Sequence, residues 1–311
     1  MLRTILIPLD GTRFSESAIP PAVRIAKAAS GSVHLALVHR SVVPIMPMVE
    51  PGTAPVGLDE DLRAREQSYL EAQLQSLTGK GSPAATSAYL EGSPGDALVA
   101  EASRIGADLF VMAAHGRGAL GRLWLGSVTD YVIRHADAPV LVVHPADDGK
   151  ASAEPTPMRR FLVPLDLSAE SEHILETVAE LAVLFQSAVT LLHVVEPYFD
   201  LVDPATPYPL AVDHRLTAGR LEEANRRLAR ASEPLRDAGI VVEIRVVESP
   251  SAAAAILEVL EGDEADLVAM TTHGTGGMRR MLLGSVADKV IRGSRKPTLV
   301  IRPAAGKPEA R

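Results

Sequence analysis

The chain has 311 residues, a formal net charge of −8 and no cysteine. Disulfides, thiolate metal sites and a cysteine nucleophile are therefore excluded, and the acidic balance argues against a general electrostatic grip on nucleic acid or on anionic membranes. Hydrophobic residues make up 47% and aromatics only 4%, so the chain has enough apolar material for about two domains with cores packed from Ala, Val, Leu and Ile.

The elements alternate between strand and helix. Ile5 to Leu9 is a short continuous apolar run ending at Asp10, as expected of a parallel strand buried on both faces. A helix follows it, with Pro20-Pro21 tolerable only in a first turn. A second strand covers Val33 to Val38. After a proline-rich stretch from Pro44 to Gly57, a polar helix is expected around Asp61–Leu77. A third strand lies near Thr86–Leu90, a helix starts near Asp96, and a fourth strand spans Leu109–Ala113. The last helix starts at about Ser127 and the fifth strand spans Val140–Val143.

The pattern then repeats. Ile5-Leu6-Ile7-Pro8-Leu9-Asp10 returns as Phe161-Leu162-Val163-Pro164-Leu165-Asp166, 156 residues on. Leu125-Gly126-Ser127-Val128 returns as Leu283-Gly284-Ser285-Val286, 158 residues on. The second half supplies strands at Val189–Val195, Val241–Val247, Leu267–Thr271 and Thr298–Ile301. Its helices carry Ile174, Val178, Leu181 and Phe185 at helical spacing, and others lie around Arg215–Leu235, from Ala252 and from Ser285. A stretch from Pro197 to Pro209 reads as irregular. These are whole domains, not solenoid units.

The expected boundaries are 1–145, a proline-broken linker 146–157, 158–303 and a tail 304–311. The expected class is α/β: two tandem doubly wound domains, each with a five-stranded parallel sheet in the order 3-2-1-4-5 and helices on both faces. Ligands of such folds sit beyond the carboxyl ends of the strands, where strand order reverses.

That end of each half carries the candidate chemistry. The fourth strand runs into Ala113-Ala114-His115-Gly116, nine residues follow, and Gly126-Ser127 opens a helix; the second half gives Thr271-Thr272-His273-Gly274, nine residues and Gly284-Ser285. Glycine permits close backbone approach and positive φ. A helix N-terminus offers N–H groups and a positive dipole end, so the pattern reads as a phosphate cradle. The alternative is that each serine is simply an N-cap. Arg117, Arg122, Arg279 and Arg280 are loop cations, suited to phosphate or to water. His115 and His273 read as structural groups at the strand ends.

Asp10 and Asp166 either face the ligand crevice or cap the following turn. Val38 and Val194 either meet a ligand through their backbone or serve as core. Gly92-Ser93-Pro94 becomes Glu248-Ser249-Pro250, which sets Glu248 against Gly92 as a charge difference between the halves.

Taken together, these residues resemble the universal stress protein family across both halves. Family members that bind ATP carry a Gly-x2-Gly-x9-Gly-Ser/Thr loop, matched here at Gly116, Gly126 and Ser127 and at Gly274, Gly284 and Ser285. Ala113 and Thr271 replace its first glycine. The resemblance implies an adenine-nucleotide site, for ATP with or without Mg²⁺. In the first half it comprises Leu9, Asp10, Val38, Ala113, His115, Gly116, Arg117, Gly126, Ser127 and Val128. In the second it comprises Leu165, Asp166, Val194, Thr271, His273, Gly274, Gly284, Ser285 and Val286.

The resemblance also implies a stress-response or regulatory protein acting through a protein partner, with the halves forming an intramolecular pseudo-dimer in which the fifth strands meet; further homodimerisation is open. Weak ATP hydrolysis is the most that the residues allow as an enzyme, and a nucleotide-free interaction module is the other alternative. With no secretory pattern after Met1 and no apolar run of membrane-spanning length, a cytoplasmic location is expected.

Overall fold

The computed structural model describes residues 2–41, 58–79, 81–114, 125–145, 157–197, 199–200, 211–212, 214–262, 264–272 and 283–303. The chain divides into two compact units. The expected linker lies outside the described residues except for residue 157.

In the first unit the order is β1 (Thr4–Leu9), α1 (Arg13–Glu16), α2 (Ile19–Ala28), β2 (Ser32–His39), α3 (Leu58–Ser76), β3 (Ala84–Glu91), α4 (Pro94–Ile105), β4 (Leu109–Ala113), α5 (Ser127–His135) and β5 (Val140–Val143). Its strands are all parallel and neighbour one another as β3-β2-β1-β4-β5. Ile5, Leu6, Ile7 and all of β4 and β5 are buried, which is why these strands read as unbroken apolar runs. Pro20 and Pro21 fall in the first turn of α2, where missing N–H groups cost nothing.

The second unit repeats this scheme with β6 (Arg160–Pro164), α6 (Ala169–Glu172), α7 (Ile174–Phe185), β7 (Ala188–Val195), α8 (His214–Asp237), β10 (Val242–Glu248), α9 (Ala252–Glu261), β11 (Leu267–Thr271), α10 (Ser285–Gly293) and β12 (Thr298–Ile301). Its parallel order is β10-β7-β6-β11-β12. Between β7 and α8, β8 (Phe199–Asp200), inside the stretch expected to be irregular, pairs antiparallel with β9 (Ala211–Val212), just beyond it. The short helices α1 and α6 were also not expected: four residues show no apolar period.

One repeated motif acquires a structural role. Asp108 Oδ2 accepts hydrogen bonds from the backbone N–H groups of Arg3 (2.8 Å) and Thr4 (2.9 Å). Asp266 Oδ2 does the same for Arg159 (3.0 Å) and Arg160 (3.1 Å). Each aspartate thus ties the entry of the first strand to that of the fourth, satisfying amides at the strand start.

Candidate functional site

Strand order reverses between β1 and β4 in the first unit and between β6 and β11 in the second. A crevice beyond the carboxyl ends of such strands is where ligands of doubly wound sheets bind. Leu9 ends β1 and Ala113 ends β4, both buried, while Asp10 is exposed just beyond. Leu165, Thr271 and Asp166 hold the matching places, the first two buried and the aspartate exposed.

The helix starts are built alike. The N-cap of α5 is Gly126, at φ −58° and ψ 144°; that of α10 is Gly284, at φ −60° and ψ 146°. Neither makes a side-chain capping bond. Ser127 and Ser285 are therefore not N-caps: each is the first helical residue and exposed, followed by half-buried Val128 and Val286. Nor do the two glycines need positive φ. A glycine N-cap also brings no side-chain oxygen to the N–H groups of the first turn.

Both helix starts are fastened to the strand end before them. In the first unit the Thr129 hydroxyl donates to the Ala113 carbonyl at 3.4 Å, and in the second the Gly284 N–H donates to the Thr272 carbonyl at 2.7 Å.

The aspartates order the turns that follow them. Asp10 Oδ1 accepts from the Thr12 N–H (3.0 Å) and hydroxyl (2.6 Å), and Asp166 Oδ1 from the Ser168 N–H (3.0 Å) and hydroxyl (2.5 Å). The turn-capping role is thus present in both copies. Val38 and Val194 are half-buried one residue before the ends of β2 and β7. His115, Gly116, Arg117, Arg122, His273, Gly274, Arg279 and Arg280 lie outside the described residues.

Strand register corrects the comparison of Glu248 with Gly92. Glu248 pairs with Val195, and Glu91 pairs with His39, the residue matching Val195. The N–H groups of Gly92 and Ser249 then donate to the carbonyls of His39 and Val195. Glu248 therefore corresponds to Glu91, both halves carry a glutamate there, and no charge difference separates them. The two sequences differ in length by one residue at this turn, which aligning Ser-Pro with Ser-Pro conceals.

Beside Val38 sits a polar cluster that the motifs did not reveal. His39 is only 1% exposed; its Nδ1 lies 2.7 Å from Glu66 Oε2 and its Nε2 lies 3.1 Å from Asp59 Oδ1. The Tyr89 hydroxyl donates to the same Glu66 oxygen at 2.6 Å. Burial, reinforced by that carboxylate, pushes the Tyr89 pKa up. The signal available in sequence was a histidine closing an apolar strand ahead of an acidic helix start.

The universal stress protein family matches residues 1–144 and again 157–302. A universal stress protein of Mycolicibacterium smegmatis is 34% identical over 197 residues, a match spanning 63% of this chain and 62% of that protein. A universal stress protein of Mycobacterium tuberculosis is 27% identical over 302 residues, 96% of both chains. Among solved structures, a universal stress protein from Archaeoglobus fulgidus superimposes with a TM-score of 0.69 over 99% of this chain and 98% of its own, at 18% identity, a likeness of fold. With the family pattern spanning both compact units, the chain belongs to the universal stress protein family as a tandem two-domain member.

Proposed function

We propose that this protein is a stress-response regulator that binds an adenine nucleotide, ATP foremost, at the carboxyl end of the sheet in one or both units. The observation that carries this reading is the twin helix start: Gly126-Ser127 and Gly284-Ser285 each present an exposed serine at the first helical position after a glycine N-cap that has no side chain to cap the N–H groups. A nine-residue helix ending in such open donors, at the switch point of a parallel sheet, suits a phosphate. Asp10 and Asp166 keep the turn beside it in place and offer a carboxylate to the sugar, or to a Mg²⁺ ion shared with the phosphates.

A second reading, a nucleotide-free interaction module, is favoured by one feature. Ala113 and Thr271, both buried, stand where the nucleotide-binding motif has its first glycine, and their side chains crowd the closest backbone approach. Denaturing the purified protein and chromatographing the supernatant tests for carried nucleotide. Calorimetric titration of the stripped protein with ATP, ADP, AMP and cyclic AMP, with and without Mg²⁺, follows. Micromolar binding of any one supports the proposal; no heat with any of them favours the interaction module.

A further inference from the structure

The two units hold their longest helix to the sheet by different physics. In the second unit α8 buries Ala224, Leu228, Ala231 and Leu235, an apolar stripe. In the first unit α3 has 19 residues and buries only Leu70. Leu62 and Leu74 are half-buried, and the rest of its grip is polar. Asp59 and Glu66 flank His39, Glu66 also accepts from Tyr89, Arg63 bonds Glu91, and Tyr69 and Gln73 donate to Glu16 at 3.0 and 3.3 Å. In the second unit the place of His39 is taken by Val195, so this device belongs to one copy only.

We infer that α3 is a proton-controlled latch, closed onto the ends of β2 and β3 while His39 carries both ring protons and released from its N-terminal half when one is lost. Ionised carboxylates only accept hydrogen bonds, and a neutral imidazole has a single N–H. Facing Glu66 with one nitrogen and Asp59 with the other, His39 makes both bonds only as the imidazolium. Among the described residues, the groups facing the cluster are Asp59, Arg63 and Glu66 from α3 and Tyr89 and Glu91 from β3. With the ring charged, two cations oppose three carboxylates. Loss of the proton leaves one cation against three, and sets a lone pair of the buried ring against a partly exposed carboxylate.

The proton count gives the direction: the doubly protonated ring closes the latch, and raising the pH opens it. The bonds from Tyr69 and Gln73 to Glu16 do not involve the histidine, so opening is confined to the half of α3 nearest β2 and β3. That half lies next to Val38, at the end of the sheet where the proposed ligand sits, so acidification would stiffen one wall of that region.

Hydrogen exchange followed by mass spectrometry on the full chain at pH 5.5 and 8.5, corrected for intrinsic exchange, tests the latch, with α8 as internal control. Amides of 58–66 are expected to lose protection by roughly tenfold or more at the higher pH while those of α8 keep theirs. His39→Gln removes the titrating group, and Glu66→Gln supplies an amide that bonds the neutral ring; both flatten the pH dependence. If His39→Gln does not fold, Glu66→Gln decides alone. The latch is overturned if α3 and α8 respond to pH alike in the native protein, or if the response of α3 persists in either folded variant.

Discussion

Leu167 and Gly11 occupy the same place in the two repeats and share a left-handed backbone, at φ 67° and 78° respectively. Glycine takes this conformation freely, whereas a side chain there costs about 1–2 kcal/mol. In the second unit the strained turn beside Asp166 is held by Arg227, whose guanidinium donates to the Leu167 carbonyl. Gly11→Ala is expected to destabilise the first unit by about 1–2 kcal/mol. Leu167→Gly relieves the same strain and raises the stability of the second by up to about 1 kcal/mol, less the extra chain entropy of glycine. Urea unfolding resolved by unit measures both; a loss of stability in Leu167→Gly contradicts the strain argument.

At the helix start, Ser127→Ala removes an exposed hydroxyl from the proposed phosphate site. A hydrogen bond to a charged group is worth about 1.5–3 kcal/mol, so ATP affinity in the first unit should fall roughly ten- to a hundredfold. Gly126→Val places a β-branched side chain at the N-cap and should abolish binding there. Ser127 is exposed, so Ser127→Ala should change thermal unfolding little, whereas valine at the N-cap costs the helix about 1 kcal/mol. Unchanged affinity in calorimetry for both variants would mean that this helix end is not the cradle.

The first position of the motif ranks the two units. Ala113 adds a methyl group there, whereas Thr271 adds a branched side chain that is stiff at χ1. With Glu248 matched by Glu91, this steric difference alone carries the expectation that the first unit binds ATP more tightly. Ala113→Gly and Thr271→Gly should both strengthen binding, with the larger gain at Thr271. Equal gains, or none, would show that crowding at the strand end does not limit affinity.

Acid stability should depend on His144, which follows β5. Its Nε2 is buried and has no hydrogen-bond partner among the described residues, and burial pulls its pKa down to about 4. The folded state therefore keeps the ring neutral where an unfolded chain, with a histidine pKa near 6.5, takes up a proton. Stability from this residue is full above about pH 6.5 and drains away as pH falls toward 4, by at most roughly 3 kcal/mol. His144→Leu should flatten the fall in melting temperature across that window; a slope equal to that of the native protein would show that His144 does not control it.

Much of the fold was legible because it rests on local pattern. Strands β4, β5, β11 and β12 fall on the residues expected of them, since a strand buried on both faces has nowhere to put a polar residue. The polar helices and the serine-led helix starts were equally plain. Less legible was anything set by a partner distant in sequence. Ser127 could be read as a site residue or as a cap until Gly126 proved to be the cap. Asp10 showed its turn-holding role only through Thr12. Glu248 aligned with Gly92 by letters and with Glu91 by register.

The chain's repetition, its two units, its parallel strands and the placing of a Gly-Ser helix start after the fourth strand of each are written in the sequence, because short-range periodicity and turn chemistry act within a few residues. What tertiary structure alone decided is where the copies diverge. His39 meets Asp59 and Glu66, 20 and 27 residues away, only because α3 folds back across β2 and β3. A buried ring caught between two carboxylates has an environment that neither its own position nor its neighbours in the chain specify.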